Sequence, residues 1–288
     1  MTYIGRFAPS PSGPLHLGSL VAAIASYLDA KSNQGLWLLR IEDIDPPRQI
    51  KDADKIIQQQ LNSFGLNWDG EILYQSTRLE AYQQQLNDWL RQDKAYCCNC
   101  TRQQIKANGG VHAATCKQLN LSSQGNAIRY NNPKNIEHFS DLIHGQVKVD
   151  SKQAFDDFVL FRRDGLYAYQ LAVVLDDIFQ KVSHVVRGQD LLETSVWQIA
   201  LYNSLNQATV QYAHLPLVLA QDGRKLSKQN GAPSVSEHDI AQQITQVLNI
   251  LGQKPPLELN LESKETILTW AIDNWRPQQI PKSSIFSQ

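Results

Sequence analysis

The stretch that most constrains this chain is RFAPSPSGPLHLGS, residues 6–19. It follows an apolar, strand-like opening, TYIGRFA (2–8), and precedes LGSLVAAIASYLDAKS (17–32), whose apolar residues recur at helical spacing. The three prolines and one glycine between them stop either element from running on. A strand that passes through such a loop into a helix begins a parallel α/β layer, because parallel strands need crossover connections. The loop also puts a helix N-terminus, with its free N–H groups and partial positive charge, at the carboxyl end of a strand. Open α/β sheets bind anionic ligands at that position. His16 can donate to phosphate oxygens, and Gly18 lets a phosphate or a flat base approach the backbone. A plain strand-to-helix turn with a capping residue is the competing explanation.

The same rhythm continues. GLWLLRIED (35–43) reads as a strand, and 50–64 and 78–92 read as helices. Residues 94–150 break the pattern with cysteines, a GG pair and an NNP turn, and are expected to be an insertion. FDDFVLFRR and VSHVVRG are strand-like, YAYQLAVVLDDIF and LLETSVWQIALYNSL helix-like, and HLPLVLA reads as a strand leading into QDGRKLSKQ. The expected division is 1–93 and 151–235 as two halves of one catalytic domain, 94–150 as the insertion, and 236–288 as a helical tail. The net charge of −1 gives no global cationic signature, so any nucleic acid would have to be met by a local basic face. There is neither an apolar run of membrane-spanning length nor a secretory leader, so a cytoplasmic location is expected.

The four cysteines, Cys97, Cys98, Cys100 and Cys116, fall within twenty residues, and His112 lies among them. In an intracellular chain this clustering points to metal more than to disulfides, and thiolate plus imidazole donors suit tetrahedral zinc. The preferred ligands are Cys98, Cys100, His112 and Cys116. Cys97 in place of Cys98 gives C-x-x-C spacing and stays open, and reduced buried thiols without metal are the bland alternative. The metal would be structural, holding a loop-rich segment that lacks its own core.

Far down the chain, KLSK (225–228) follows a DG turn and puts two lysines three residues apart. Either element alone is weak. As a pair, HLGS resembles the HIGH signature, and KLSKQ the KMSKS signature, of class I aminoacyl-tRNA synthetases. Ser19 replaces the final histidine, a change the glutamate-specific branch tolerates. RFAPSPSG and RIEDID (40–45) are similar to the glutamyl-tRNA synthetase subgroup, and the resemblance runs from residue 3 to about 230. It implies an α/β fold with a class I Rossmann-type parallel sheet, a zinc-containing insertion and a short helical C-terminal region. It implies a glutamate pocket of Arg6, Phe7, Ala8, Pro9, Ser10, Glu42, Tyr169 and Arg187. It further implies ATP contacts from His16, Gly18 and Lys228, and catalytic roles for His16, Lys225 and Lys228, with Mg²⁺ accompanying ATP. Two positions depart from the pattern. Val173 stands in YQLAVV where full-length enzymes carry an asparagine, and His112 stands where related short enzymes carry a tyrosine.

After Lys228 sixty residues remain, fewer than the roughly 100 of a typical further domain, so no anticodon-binding module is expected. In this the chain resembles the glutamyl-Q tRNA(Asp) synthetase family. That resemblance implies tRNA-independent activation of L-glutamate by ATP, then transfer to queuosine at the wobble position of tRNA(Asp). The rival reading is a truncated glutamyl-tRNA synthetase that charges tRNA(Glu). A nucleotide-binding regulator and a small nucleotidyltransferase stand further back. Arg102, Lys106, Lys117, Arg162 and Arg163 are candidate RNA contacts, weighed below a merely solvated face. A monomer is expected.

Overall fold

The computed structural model describes residues 2–286 apart from 111, 113, 134, 221, 222, 224, 225, 227–231 and 237. The chain opens with β1 (Ile4–Phe7), α1 (Leu17–Ser32), β2 (Leu36–Ile41), α2 (Ala53–Ser63), β3 (Leu73–Tyr74) and α3 (Leu79–Arg91). Next come β4 (Ala95–Cys98), α4 (Arg102–Ala107), β5 (Ala127–Tyr130), β6 (His138–Asp141), β7 (Gly145–Lys148), α5 (Ser151–Ala154) and β8 (Val159–Phe161). The chain continues through α6 (Tyr169–Phe179), β9 (His184–Gly188), α7 (Ser195–Ser204), β10 (Gln211–Leu215) and β11 (Val218–Leu219). It closes with α8 (Ile240–Ile250), α9 (Lys264–Asp273) and β12 (Ile285–Phe286).

β1, β2 and β3 pair in parallel, as do β9, β10 and β6. The Ser183 N–H donates to the Ile4 carbonyl at 2.9 Å and joins β9 to β1. The strands therefore run 3-2-1-9-10-6, with β7 antiparallel at the edge. Strand order reverses between β1 and β9, so the crevice at their carboxyl ends is where such a sheet takes a ligand.

Side chains alternate across this sheet and feed two cores. Val185 and Tyr212 pack with α3, α6 and α7, whereas Val186, Ala213 and Leu215 pack with α1, α8 and α9. The helical tail therefore shares the main core. Its Trp275 indole N–H reaches α1 and donates to the Asp29 carboxylate at 2.8 Å. Among the described residues no helix is long and apolar enough to cross a membrane.

Strand pairing does not respect a boundary at 150. β8 pairs antiparallel with β5, which itself pairs with β4, so FDDFVLFRR extends the cysteine-bearing sheet and does not resume the parallel one. Conversely β6, inside the expected insertion, pairs with β10. HLPLVLA is two strands, because Pro216 has no N–H to continue the ladder.

Candidate active site

The loop after β1 delivers His16 to the N-terminus of α1. The Ser19 N–H donates to His16 Nδ1 at 3.3 Å, and Ser19 Oγ accepts from the His16 N–H at 2.8 Å. This reciprocal capping box explains the serine in HLGS: it fixes the imidazole at the mouth of the helix. A Cβ on Gly18 would lie 3.1 Å from His16 Cε1 and 3.4 Å from the Leu226 carbonyl oxygen. The tight neighbour is the His16 ring, so glycine at 18 leaves the imidazole its room, while Leu226 stands at ordinary contact distance. The Leu226 N–H donates to the Val218 carbonyl at 2.9 Å, and the Val235 N–H to that of Leu15 at 2.8 Å. His16, Gly18, Ser19, Gly188, Asp190 and Leu226 are among the residues that line a cavity of about 230 Å³. Lys225 and Lys228 lie outside the described residues.

β1, the end of β2 and α6 bury a charge cluster, whose Glu42 lines a separate opening. Arg6 Nε lies 3.2 Å and Arg40 Nη1 2.7 Å from Asp177 Oδ1, and Arg40 Nη2 lies 3.6 Å from Glu42 Oε1. All four side chains are less than one-tenth exposed. Burial tends to raise the Asp177 carboxyl, but Arg40 and Arg6 hold it below the usual carboxylate range. For Glu42 burial wins and pushes the carboxyl up to about 7 against the pull of Arg40 and Arg6. Glu42 Oε1 is buried without a hydrogen-bond partner among the described residues. An ammonium group of a ligand would complete it.

Arg187, at the end of β9, is also buried, but its partners are neutral. Nε donates to His214 Nε2 at 3.0 Å, Nη1 to Gln198 Oε1 at 2.8 Å, and Nη2 to Ser195 Oγ at 2.8 Å. The remaining bonds are long, 3.5 Å to the Tyr169 hydroxyl and 3.4 Å to the Leu191 carbonyl. No carboxylate pairs with this guanidinium among the described residues. A buried cation without a counter-charge, and with two weakly used donors, suits a carboxylate ligand. Burial raises the Tyr169 hydroxyl, and the charges of Arg187, Glu42, Arg6 and Asp177 all act on it.

Of the expected pocket residues, Arg6, Glu42, Tyr169 and Arg187 converge. The Pro9 carbonyl accepts from the Glu42 N–H at 3.0 Å, which ties the loop to the end of β2. Ala8 is half-buried and Ser10 exposed, and Ser10 lines a second opening beside Glu42. Phe7 instead stacks on Trp37 in the core, so its side chain is a packing group. Val173 is fully buried in apolar surroundings, while on the same helix Gln170 accepts from Gln198. Sequence reasoning passed over Arg40, Asp177, Gln198 and His214. A usable signal was the DD pair in LAVVLDDIF, since acids on an otherwise apolar helix must be paired if buried. Among the candidate RNA contacts, Lys117 is turned inward, 3.0 Å from Asp157 and 2.6 Å from Asn131 Oδ1. Arg162 pairs with Asp164, and Arg102 and Lys106 are exposed.

The cysteine cluster forms a second site. The donor atoms of Cys98, Cys100, His112 and Cys116 all lie within 4.8 Å of one another. Cys98 Sγ is 3.1 Å from His112 Nε2, and the Cys100 and Cys116 sulfurs are 3.3 Å apart. The Tyr96 hydroxyl donates to Asp157 at 2.7 Å and lies 3.0 Å from His112 Nδ1, where its oxygen can accept the Nδ1 proton and leave Nε2 facing the thiols. Burial holds His112 below its ordinary value, so the imidazole keeps a lone pair for a metal. The three-thiol, one-imidazole donor set fits zinc. Cys97 lies on the opposite face of β4, in the apolar core, which separates it from the cluster. Purified protein is expected to carry about one zinc per chain by elemental analysis. Cys98→Ser and Cys116→Ser should lose it and Cys97→Ser should keep it; the reverse pattern for Cys97 and Cys98 would assign the rival ligand set.

Residues 4–252 match the family described as tRNA synthetases class I (E and Q), catalytic domain. A protein of Photobacterium profundum named glutamyl-Q tRNA(Asp) synthetase is 49% identical over 97% of this chain and 90% of its own length. A protein of Vibrio vulnificus with the same name is 50% identical, over 98% of this chain and 93% of its own. Among solved structures, a glutamate tRNA ligase from Elizabethkingia meningosepticum, in complex with its amino acid, superposes with a TM-score of 0.81 at 26% identity. That match covers 99% of this chain and 67% of the ligase.

Proposed function

The chain belongs to the class I tRNA synthetase (E and Q) catalytic-domain family, and from that premise we propose that it activates L-glutamate with ATP, without tRNA, and transfers it to queuosine at the wobble position of tRNA(Asp). The observation that carries the amino-acid assignment is the pairing of two buried groups with bonding capacity left unused. Among the described residues, Arg187 is a buried cation with neutral partners only, and Glu42 is a buried carboxyl with an oxygen that accepts no hydrogen bond. A ligand with an ammonium and carboxylates answers both. The names of the relatives, at 46–50% identity over nearly their full length, support the acceptor.

In this reading Arg187 and Tyr169 hold the side-chain carboxylate, and Glu42 holds the ammonium. The α-carboxylate is already ionised at neutral pH and needs no base. Its oxygen forms a bond to the α-phosphorus of ATP, the bond from that phosphorus to the bridging oxygen breaks, and pyrophosphate leaves. Positioning and charge stabilisation do the work. His16 donates to phosphate oxygens at the mouth of α1, Gly18 permits the approach, and Lys225 and Lys228 act on the departing charge. Mg²⁺ bound to ATP would neutralise part of the triphosphate. A hydroxyl of the acceptor nucleoside then attacks the glutamyl carbonyl and releases AMP. The cysteine cluster would hold zinc as a structural element. The enzyme would work in the cytoplasm as a monomer.

The test is ATP–pyrophosphate exchange. Glutamate should drive exchange with no RNA present, other amino acids should not, and radiolabel should then appear in the anticodon loop of tRNA(Asp). Exchange that requires tRNA(Glu) would instead favour a charging enzyme, and its absence under every condition would sink both readings.

A further inference from the structure

One of the groups that hold Arg187 belongs to a buried chain running across the neighbouring strands. His214 on β10 is fully buried between Arg187 and Asp141 on β6. Its Nδ1 lies 2.7 Å from Asp141 Oδ2, and its Nε2 lies 3.0 Å from Arg187 Nε. A guanidinium nitrogen can only donate, so His214 Nε2 must accept. That requires the neutral imidazole with its proton on Nδ1, which is the form a carboxylate at Oδ2 selects. Asp141 Oδ1 is used separately, accepting from the N–H groups of Ile143 and His144 at 2.9 Å each. Burial and the Arg187 charge press the imidazole toward neutrality, overcoming the Asp141 bond, and bring it to about 4.

We propose that Asp141 and His214 are positioning residues for glutamate binding: the carboxylate fixes the imidazole tautomer, and the tautomer fixes the guanidinium of Arg187. The inference rests on the reading of Arg187 as the glutamate-carboxylate ligand. The link crosses three adjacent parallel strands, β6, β10 and β9, so the sheet itself holds the three groups in line.

Asp141→Asn tests it. The asparagine carbonyl can still accept at the Oδ1 position, while the new amide faces Nδ1 as a donor. His214 would then move its proton to Nε2 and present N–H against N–H. In glutamate-dependent exchange, KM for glutamate should rise roughly tenfold or more while KM for ATP stays within about twofold. Nitrogen-15 spectra should show the His214 proton moving from Nδ1 to Nε2. The double variant Asp141→Asn/His214→Gln should recover most of the glutamate affinity, because the glutamine carbonyl accepts from Arg187 whatever faces it from β6. A purely structural role for Asp141 predicts no such recovery. Arg187→Lys calibrates the premise: if it leaves KM for glutamate unchanged, the assignment of Arg187 fails and this inference with it. If Arg187→Lys raises that KM but Asp141→Asn does not, or raises it equally for ATP, the positioning role alone is overturned.

Discussion

An Asp177→Ala protein should lose about 3–5 kcal/mol of stability, the usual cost of breaking a buried ion pair from one side. Asp177 Oδ1 accepts from both Arg6 and Arg40, and neither guanidinium is more than 4% exposed. Without it the two cations oppose one another in a buried site; their repulsion already acts on Arg6 in the intact protein. Against a total of about 5–15 kcal/mol for a domain, the loss is more than half in the weaker case. Urea denaturation would measure it. Asp177→Asn keeps an acceptor but not the charge and should fall between. Asp88→Ala removes the partner of the exposed Arg91 and should melt with the unaltered protein. An Asp177→Ala midpoint equal to that control would show that the cluster does not hold the sheet to α6.

Glu42→Gln should do the opposite to function and stability. Glutamate-dependent exchange should fall by roughly 10²–10³-fold, as for removal of one partner of a desolvated charge pair. Yet at pH 8 the variant should melt at or above the unaltered protein. The sign follows from the raised carboxyl, at about 7 in the fold against an ordinary 4.5. Between those values the folded state holds a proton that the unfolded state has released, so stability falls as pH rises and the full cost is present above about 7. The ligand ammonium needs the ionised form. KM for glutamate should therefore decrease from pH 6 to pH 8 in the unaltered protein and lose that dependence in Glu42→Gln. A variant less stable at pH 8, with its exchange intact, would mean that Glu42 serves the fold and not the amino acid.

The first α/β unit was legible almost to the residue. α1 runs from Leu17 to Ser32 because a proline-rich loop marks one end and the apolar spacing defines the rest. The β6–β7 hairpin was not legible, since HFSD and GQVK are short and polar, and pairing with β10 gives them their place. Within the site, Arg6, Glu42, Tyr169 and Arg187 were reached through resemblance, and the residues that hold them were not. Arg40 and Asp177 are 137 positions apart, and no local pattern announces a bond over that distance. His214 sits in an unremarkable HLP stretch, and its meaning comes from β6 and β9 on either side.

The adjacent thiols of β4 have a consequence for folding. Cys97 faces apolar neighbours and Cys98 faces the other cysteines, so a slip of β4 by one residue exchanges them. The slipped strand would still offer a thiol to a soft cation, so coordination chemistry alone does not proofread the register. Tyr96 does. Its hydroxyl donates to Asp157 at 2.7 Å and bonds His112 at 3.0 Å, and a slip would drive that hydroxyl into the apolar layer without a partner. The discrimination between right and wrong alignments thus lies in an aromatic side chain that binds no metal. A cation captured before β4 has paired with β5 would make the wrong alignment a kinetic trap.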